Sequence, residues 1–391
     1  MILNTKWWLS EPRIVAGVMT GTSLDSIDIA VVRFFKKEGR QKFSLVSEEV
    51  APISEDMRQY ILDIIKSGAS AKDFSQLGYY LAEKYAENIE KAMKKKRLKL
   101  DSLDAVGIHG QTIWHQPEKE AFLGSSTSST FQIGNGSVLA NIIGKPVVSD
   151  FRAADVALGG QGAPLVPIFD DAFLSEDNMD VIALNIGGIS NITYMPAKSS
   201  SRPVTAFDTG PGNMLIDWAM KKLFNKDYDH KGETAQRGWS IEELQKRLHE
   251  IEYIHREPPK STGRELFSGE LIKAISQSKS IRNSSPPDIV RTLTEFTAWS
   301  IATNIERFAN PEAKIIVSGG GTKNSFLMQL IKRSLPQAEV VISDTAGISS
   351  DQKEAVCFAY LAYRTLAGMK SNIPNATGAK RSAVLGSISI P

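Results

Sequence analysis

One cysteine, Cys357, in 391 residues rules out an intramolecular disulfide and any multi-cysteine metal site. It lies in the apolar run Ala355–Ala362 and reads as a small core residue. No apolar run approaches the length of a membrane span. Met1–Pro12 has no basic region leading into a long apolar segment, so no signal peptide is expected and the cytoplasm is the default location. Charge is nearly balanced at +2, which gives no global case for a nucleic-acid or membrane partner. The one basic run, Lys91 to Lys99, ends a helical stretch, where cations suit the helix dipole, and reads as a solvated helix end. Also missing are a Gly-Lys-Ser/Thr loop, an HExxH pair and a G-x-S-x-G elbow, which sets aside Walker-type nucleotide binding, zinc proteolysis and serine hydrolysis. His230, His249 and His255 have no metal-ligand spacing.

What is present is ample apolar material, 42% of residues, and a length that suggests two or three domains. Strand-like runs at Ile14–Val18, Ile29–Phe35, Ser44–Ala51 and Ala105–Ile108 alternate with helical periodicity at Glu55–Lys66 and Ala71–Met93, which reads as α/β or α+β. Ser125–Thr130 reads as a loop without packing signal. Pro146–Phe151 reads as a strand ending on an acid. After Gly159–Pro164 the pattern restarts with strands at Val181–Ile186 and Ser190–Met195 around Gly187-Gly188. Helices at Met214–Leu223, Ile241–Ile251 and Ile289–Ala309 follow, then strand Ala313–Ser318, helix Lys323–Ser334, strand Val340–Ser343 and helix Ser350–Leu366. Two α/β halves, each opening with a hairpin around a polar glycine turn, would place two phosphate loops on either side of a cleft; a single doubly wound sheet is the alternative.

The first hairpin turn, Gly21-Thr22-Ser23-Leu24-Asp25-Ser26-Ile27-Asp28, offers backbone N–H groups and hydroxyls to phosphate oxygens. Its two acids, Asp25 and Asp28, would repel bare phosphate but accept one carrying a hard cation. Gly319-Gly320-Gly321 follows a strand and opens a helix, so it suits either a tight turn or a ligand at a helix N-terminus. Asp208 precedes Gly210-Pro211-Gly212 and either caps the turn or next helix or presents a general base. His109, in Ile108-His109-Gly110-Gln111-Thr112, is a turn histidine or part of a sugar-reading set. Arg152 forms an ion pair with Asp150 or Asp155, or holds a ligand carboxylate. Gly159–Pro164 is a hinge or a ligand loop. Glu354 is an acid of a helix's first turn or of the cleft.

The ordered series Gly21–Asp25, His109–Thr112, Gln132–Asn135, Asp150–Arg152, Gly159–Pro167, Asn185–Gly188, Phe207–Asn213, Lys260–Arg264, Gly319–Gly321 and Thr377–Ala379 resembles the anhydro-N-acetylmuramic acid kinase family from about Gly17 to the C-terminus. Residues 1–12 and 121–130 read as additions. The resemblance implies a two-lobed actin-like ATPase fold of the ribonuclease H-like type. Its N-terminal lobe would span residues 1–155, completed by 372–391, and its C-terminal lobe 156–371. It implies ATP and Mg²⁺ as cofactors, an amino sugar as substrate, and a cytoplasmic role in cell-wall recycling, with no nucleic acid or membrane; a homodimer is left open. The family opens the 1,6-anhydro ring and phosphorylates O6, giving N-acetylmuramic acid 6-phosphate. By this likeness Asp208 is the base. Gly21 to Asp28 hold the ATP phosphates, with Asp25 and Asp28 on the metal. Gly187 and Gly188 form the second phosphate loop, and Gly319, Gly320 and Gly321 the adenosine side. His109, Arg152 and Glu354 line the sugar site. One position departs from the family: Ser26 stands where glycine is usual, which requires its φ to stay negative or accept strain.

Overall fold

The computed structural model describes residues 5–21, 24–263, 265–275, 281, 283–343 and 352–391. The chain divides into two compact units, Met1–Phe173 with Asp351–Pro391, and Leu174–Ser350.

In the first unit, β1 (Arg13–Thr20), β2 (Ser26–Lys37) and β3 (Arg40–Pro52) form an antiparallel meander. β4 (Ala105–Ile108) lies parallel to β1 on its other side. Next comes a two-stranded hairpin, β5 (Gln111–Phe122) and β6 (Ser125–Ile133). The chain then returns to the main sheet as β7 (Val147–Ser149), parallel to β4. The C-terminal strand Ser387–Ser389 closes the edge antiparallel to β7. Reading from β3, the order is β3–β2–β1–β4–β7, then the C-terminal strand.

The expected Ser125–Thr130 loop is therefore part of a strand. Much of β5 and β6 is exposed on both faces, so no apolar alternation marks the ladder, although threonine suits extended backbone. The N-terminal addition is also ordered where described: helix Thr5–Ser10 is pinned by Trp8, whose Nε1 donates to the Tyr363 carbonyl at 3.0 Å.

The second unit repeats the pattern. β8 (Val181–Ile186), β9 (Ile189–Met195) and β10 (Thr205–Pro211) are antiparallel neighbours. β11 (Lys314–Ser318) and β12 (Glu339–Ile342) run parallel to β8 on its other side. The order β10–β9–β8–β11–β12 matches that of the first unit's five main strands in both sequence and direction. Two sheets of this kind replace the single doubly wound alternative.

Each sheet buries one face under helices whose starts are set locally. Helices Glu55–Ser67 and Ala71–Lys95 begin at Ser54 and Ser70, and Ser70 forms a capping box with Asp73, as this pairing does at helix N-termini. Their apolar faces join Val18, Ile29 and Val31 in the first core. In the second unit, helices Pro286–Phe308 and Ser325–Ser334 cover Ile182, Leu184 and Ile315. A separate helical core gathers Leu215, Leu248, Tyr253 and Phe296.

The division differs from the expected boundaries at 155 and 372. Helix Pro167–Leu174 places Phe169 and Phe173 among Phe34, Phe43 and Tyr360. Helix Lys353–Leu366 lies directly on β1 and β4. A Cβ at Gly17 would collide with the Ala355 carbonyl, and one at Gly107 with that of Phe358. Glu354 consequently belongs to the first unit. Cys357 is buried as expected.

Candidate active site

The β1–β2 turn is built from its apolar members outward. Leu24 takes a positive φ of 57°, and both Leu24 and Ile27 are buried in the first unit. These two side chains anchor the loop, so any ligand contact from them comes through backbone. Leu24 N donates to the Gly21 carbonyl at 3.2 Å, and Asp25 O accepts from Ile53 N at 3.0 Å. Ser26 pairs with Pro52 as the first residue of β2 and is not among the positive-φ residues. Its Oγ donates to Asp28 Oδ1 at 2.8 Å. The departure from glycine is thus accommodated, with the left-handed conformation taken by Leu24 instead. Asp25 is exposed and Asp28 half-buried. Thr22 and Ser23 lie outside the described residues.

His109 follows β4, and Arg152 lies three residues past β7, so parallel neighbouring strands deliver both to one end of the sheet. Arg152 donates from Nε and Nη2 to His109 Nε2 at 3.1 and 2.8 Å, and from Nη1 to the Gly162 carbonyl at 2.6 Å. The expected ion pair with Asp150 or Asp155 is not formed. Asp155 is instead fully buried and accepts from Gly162 N, Asn372 Nδ2 and Thr377 Oγ1 at 2.8, 2.6 and 2.8 Å. That explains the Thr377–Ala379 motif, and it ties the Gly159–Pro164 loop to the C-terminal segment. Burial, and then the Arg152 charge, push His109 down to about 3, so it is neutral at physiological pH. Glu354, in the first turn of its helix, is reached by solvent yet hemmed in closely enough that burial raises its acid, with Arg152 opposing and Asp28 reinforcing. Asp28, His109, Arg152 and Glu354 therefore form one electrostatic group within the first unit.

In the second unit the Gly187-Gly188 turn is locked to the segment after β10. Gly212 N donates to the Gly188 carbonyl and Asn213 N to that of Gly187, each at 2.8 Å. A Cβ at Gly319 would come within 2.6 Å of the Ile186 carbonyl, and one at Gly321 would strike the Ile186 side chain. These two glycines are required by packing. A Cβ at Gly187, Gly188 or Gly320 would meet nothing closer than 3.5 Å, which leaves these three open to a ligand. The triple glycine does not open the helix directly. It forms a short turn, Gly320–Lys323, and helix Ser325–Ser334 then starts at Asn324, whose Oδ1 accepts from Leu327 N at 3.0 Å.

Asp208 does not end its strand and caps no helix. β10 continues through a bulge between Asp208 and Gly210. Phe207 and Thr209 are buried on either side of it, while Asp208 is only partly so. Asp208 Oδ2 accepts from Thr262 N at 2.8 Å, its N donates to the Lys260 carbonyl at 3.1 Å, and its carbonyl accepts from Tyr253 Oη at 3.0 Å. Burial raises its acid to about 6, against the pull of Thr262 N and the Lys260 charge. Sequence reading singled out Lys260–Arg264 as a motif but gave these residues no role. Their contacts with Asp208 span about fifty positions and have no local signature.

Among the described residues no three or more His, Cys, Asp or Glu gather as a metal site. Asp25, exposed, and Asp28, half-buried, offer as many carboxylates as Mg²⁺ usually takes while it keeps its waters. No described helix is long and apolar enough to cross a membrane.

Two units in one chain that share one sheet order and strand direction, each with a glycine-bearing turn between its first two strands, have the topology of the actin-like ATPase fold. The chain belongs to the anhydro-N-acetylmuramic acid kinase family, whose profile matches residues 13–391. An anhydro-N-acetylmuramic acid kinase of Caldanaerobacter subterraneus subsp. tengcongensis is 39% identical over 386 residues, covering 97% of this chain and 98% of its own. One from Bacillus cereus is 38% identical over 383 residues, covering 96% and 99%. Two solved structures are similar at lower identity. Component A of (R)-2-hydroxyglutaryl-CoA dehydratase from Acidaminococcus fermentans has a TM-score of 0.45 at 11% identity, covering 91% of this chain and 99% of its own. A Streptomyces griseus ROK family glucokinase has 0.38 at 14%, covering 89% and 98%.

Proposed function

We propose that this protein opens the 1,6-anhydro ring of 1,6-anhydro-N-acetylmuramic acid with water and transfers the γ-phosphoryl group of ATP to O6. The product is N-acetylmuramic acid 6-phosphate, within cytoplasmic recycling of cell-wall sugars. The observation that carries the reading is Asp208, a partly buried carboxylate held through one oxygen by Thr262 N and raised to about 6. A base just below neutrality is ionised at physiological pH yet basic enough to take a proton.

In this reading Asp208 removes a proton from the water that attacks C1. The C1–O6 bond breaks, and O6, bearing the released electron pair, attacks the γ-phosphorus as ADP leaves. His109 and Arg152 bind the sugar, with His109 neutral and its tautomer set by Arg152. Glu354 orients a sugar hydroxyl. Backbone from Gly21 to Asp28, with Gly187 and Gly188, cradles the phosphates, and Gly320 faces the adenosine. Asp25 and Asp28 would hold Mg²⁺, which supplies charge neutralisation at the phosphate oxygens.

The test is incubation with ATP, Mg²⁺ and the anhydro-sugar in ¹⁸O water. Sugar-dependent ADP and a 6-phosphate labelled at C1 are expected. An unlabelled phosphorylated sugar would reduce the protein to an ordinary sugar kinase, and no sugar-dependent ADP would overturn the reading.

A further inference from the structure

The Lys260 side chain has no part in the chemistry proposed above, yet the residue is 9% exposed, which is rare for lysine unless its charge is compensated. Its Nζ donates to the Tyr253 and Ile254 carbonyls at 3.3 and 3.0 Å. It also stands 5.8, 5.2 and 5.2 Å from the ring centres of Phe207, Tyr253 and Phe308, within the range of cation–π attraction. Two walls of this box, Phe207 and Tyr253, also belong to the Asp208 setting. Phe207 precedes Asp208 in β10. Tyr253 both walls the box and donates its hydroxyl to the Asp208 carbonyl. The Lys260 carbonyl accepts from Asp208 N, and Thr262, two residues on, holds Asp208 Oδ2.

We propose that Lys260 is a positioning residue for Asp208, a fixed internal cation whose box is built on the same backbone and which holds that carboxylate in its ionised, water-activating form. The inference rests on Asp208 being the base. Without a counter-charge, burial alone would drive Asp208 further toward the neutral acid, which cannot accept a proton. Lys260 opposes that shift. Among the described residues, the other charged and titratable groups facing the pair are Arg256 and Arg307, which act against the Lys260 charge, and the Tyr253 phenol. Arg256 is paired with Glu252, and Arg307 donates to His255. Burial leads, and these two arginines contribute, in lowering Lys260 to about 8, so it stays protonated where Asp208 titrates.

A structural lysine and an electrostatic one separate on the pH axis. Lys260→Met fills the box with apolar volume, and Lys260→Arg keeps the charge. Expected for folded Lys260→Met is an acid limb of sugar-dependent ADP formation displaced upward by about one pH unit or more, with the rate recovering above it. Lys260→Arg should restore the wild-type midpoint. A wild-type midpoint in folded Lys260→Met would overturn the proposal. The reciprocal measurement needs no lysine variant. Coupling between two groups acts equally in both directions, so the Lys260 ¹³Cε titration should move downward in Asp208→Asn, and an unmoved titration would overturn the proposal as well. Turnover by Asp208→Asn at the wild-type rate would overturn the base assignment instead, which distinguishes the two failures.

Discussion

Arg152 directs two donors, Nε and Nη2, at one atom, Nε2 of His109, at 3.1 and 2.8 Å. An imidazole nitrogen that accepts cannot also carry a proton, so the His109 proton resides on Nδ1. The pair is held from behind, because Arg152 Nη1 also grips the Gly162 carbonyl while Gly162 N is held by Asp155.

The pH dependence of activity should therefore come from Asp208 and not from His109. With Asp208 raised to about 6 and His109 lowered to about 3, kcat/KM should climb about tenfold per pH unit below 6 and level off above it. His109→Asn should leave that limb in place and raise the KM for the sugar. A pH–rate profile of both proteins checks this; a limb that disappears with His109 would contradict it.

Asp208→Asn should lower ring opening by about 10²–10⁴-fold while leaving nucleotide affinity unchanged, as read by titration with a non-hydrolysable ATP analogue. The same variant should be more stable than wild type, but only at higher pH. A carboxyl whose folded pKa is raised from 3.8 to about 6 contributes stability in full below 3.8 and loses it as pH rises through 6. Asparagine never incurs that loss. A gain on the order of 1–3 kcal/mol at pH 8, vanishing near pH 4, is expected in denaturant unfolding.

Gly17→Ala should destabilise the first unit by about 1–3 kcal/mol. The added methyl would meet the oxygen and carbon of the Ala355 carbonyl and the Ala359 N, which no rotamer change relieves. The helix that carries Glu354 would have to move, so the KM for the sugar should rise as well. Thermal unfolding and steady-state kinetics measure the two effects; wild-type values for both would contradict this packing account.

Ser26→Gly should not improve the enzyme, although the family resemblance leads one to expect glycine there. Ser26 begins β2, and the positive φ of the loop falls on Leu24. Glycine would therefore add only chain entropy, about 0.5–1 kcal/mol of instability, and remove the Oγ bond to Asp28. A raised KM for ATP in the presence of Mg²⁺ is the expected kinetic sign, against unchanged kinetics if that bond is idle.

Local chemistry was enough to read the two hairpins, most helices, and Asp208 within its ordered motif, because alternation, turn residues and helix periodicity act over a few positions. The glycine turns were legible as turns for the same reason. Which glycines serve packing was not, since Gly319 and Gly321 meet Ile186 from more than a hundred residues away. The exposed ladder of β6 was missed because it has no buried face to impose alternation. The first unit's extent was missed because only packing shows that the helix carrying Glu354 lies on β1 and β4. The sequence by itself determined a duplicated α/β chain with a polar glycine turn in each half and an acid at Asp208. Only the tertiary structure decided that Arg152 faces His109 instead of Asp155, and that Lys260 shares its backbone with Asp208. These pairings join residues 43 and 52 positions apart, and such contacts follow from how whole strands and helices pack, which no local pattern encodes.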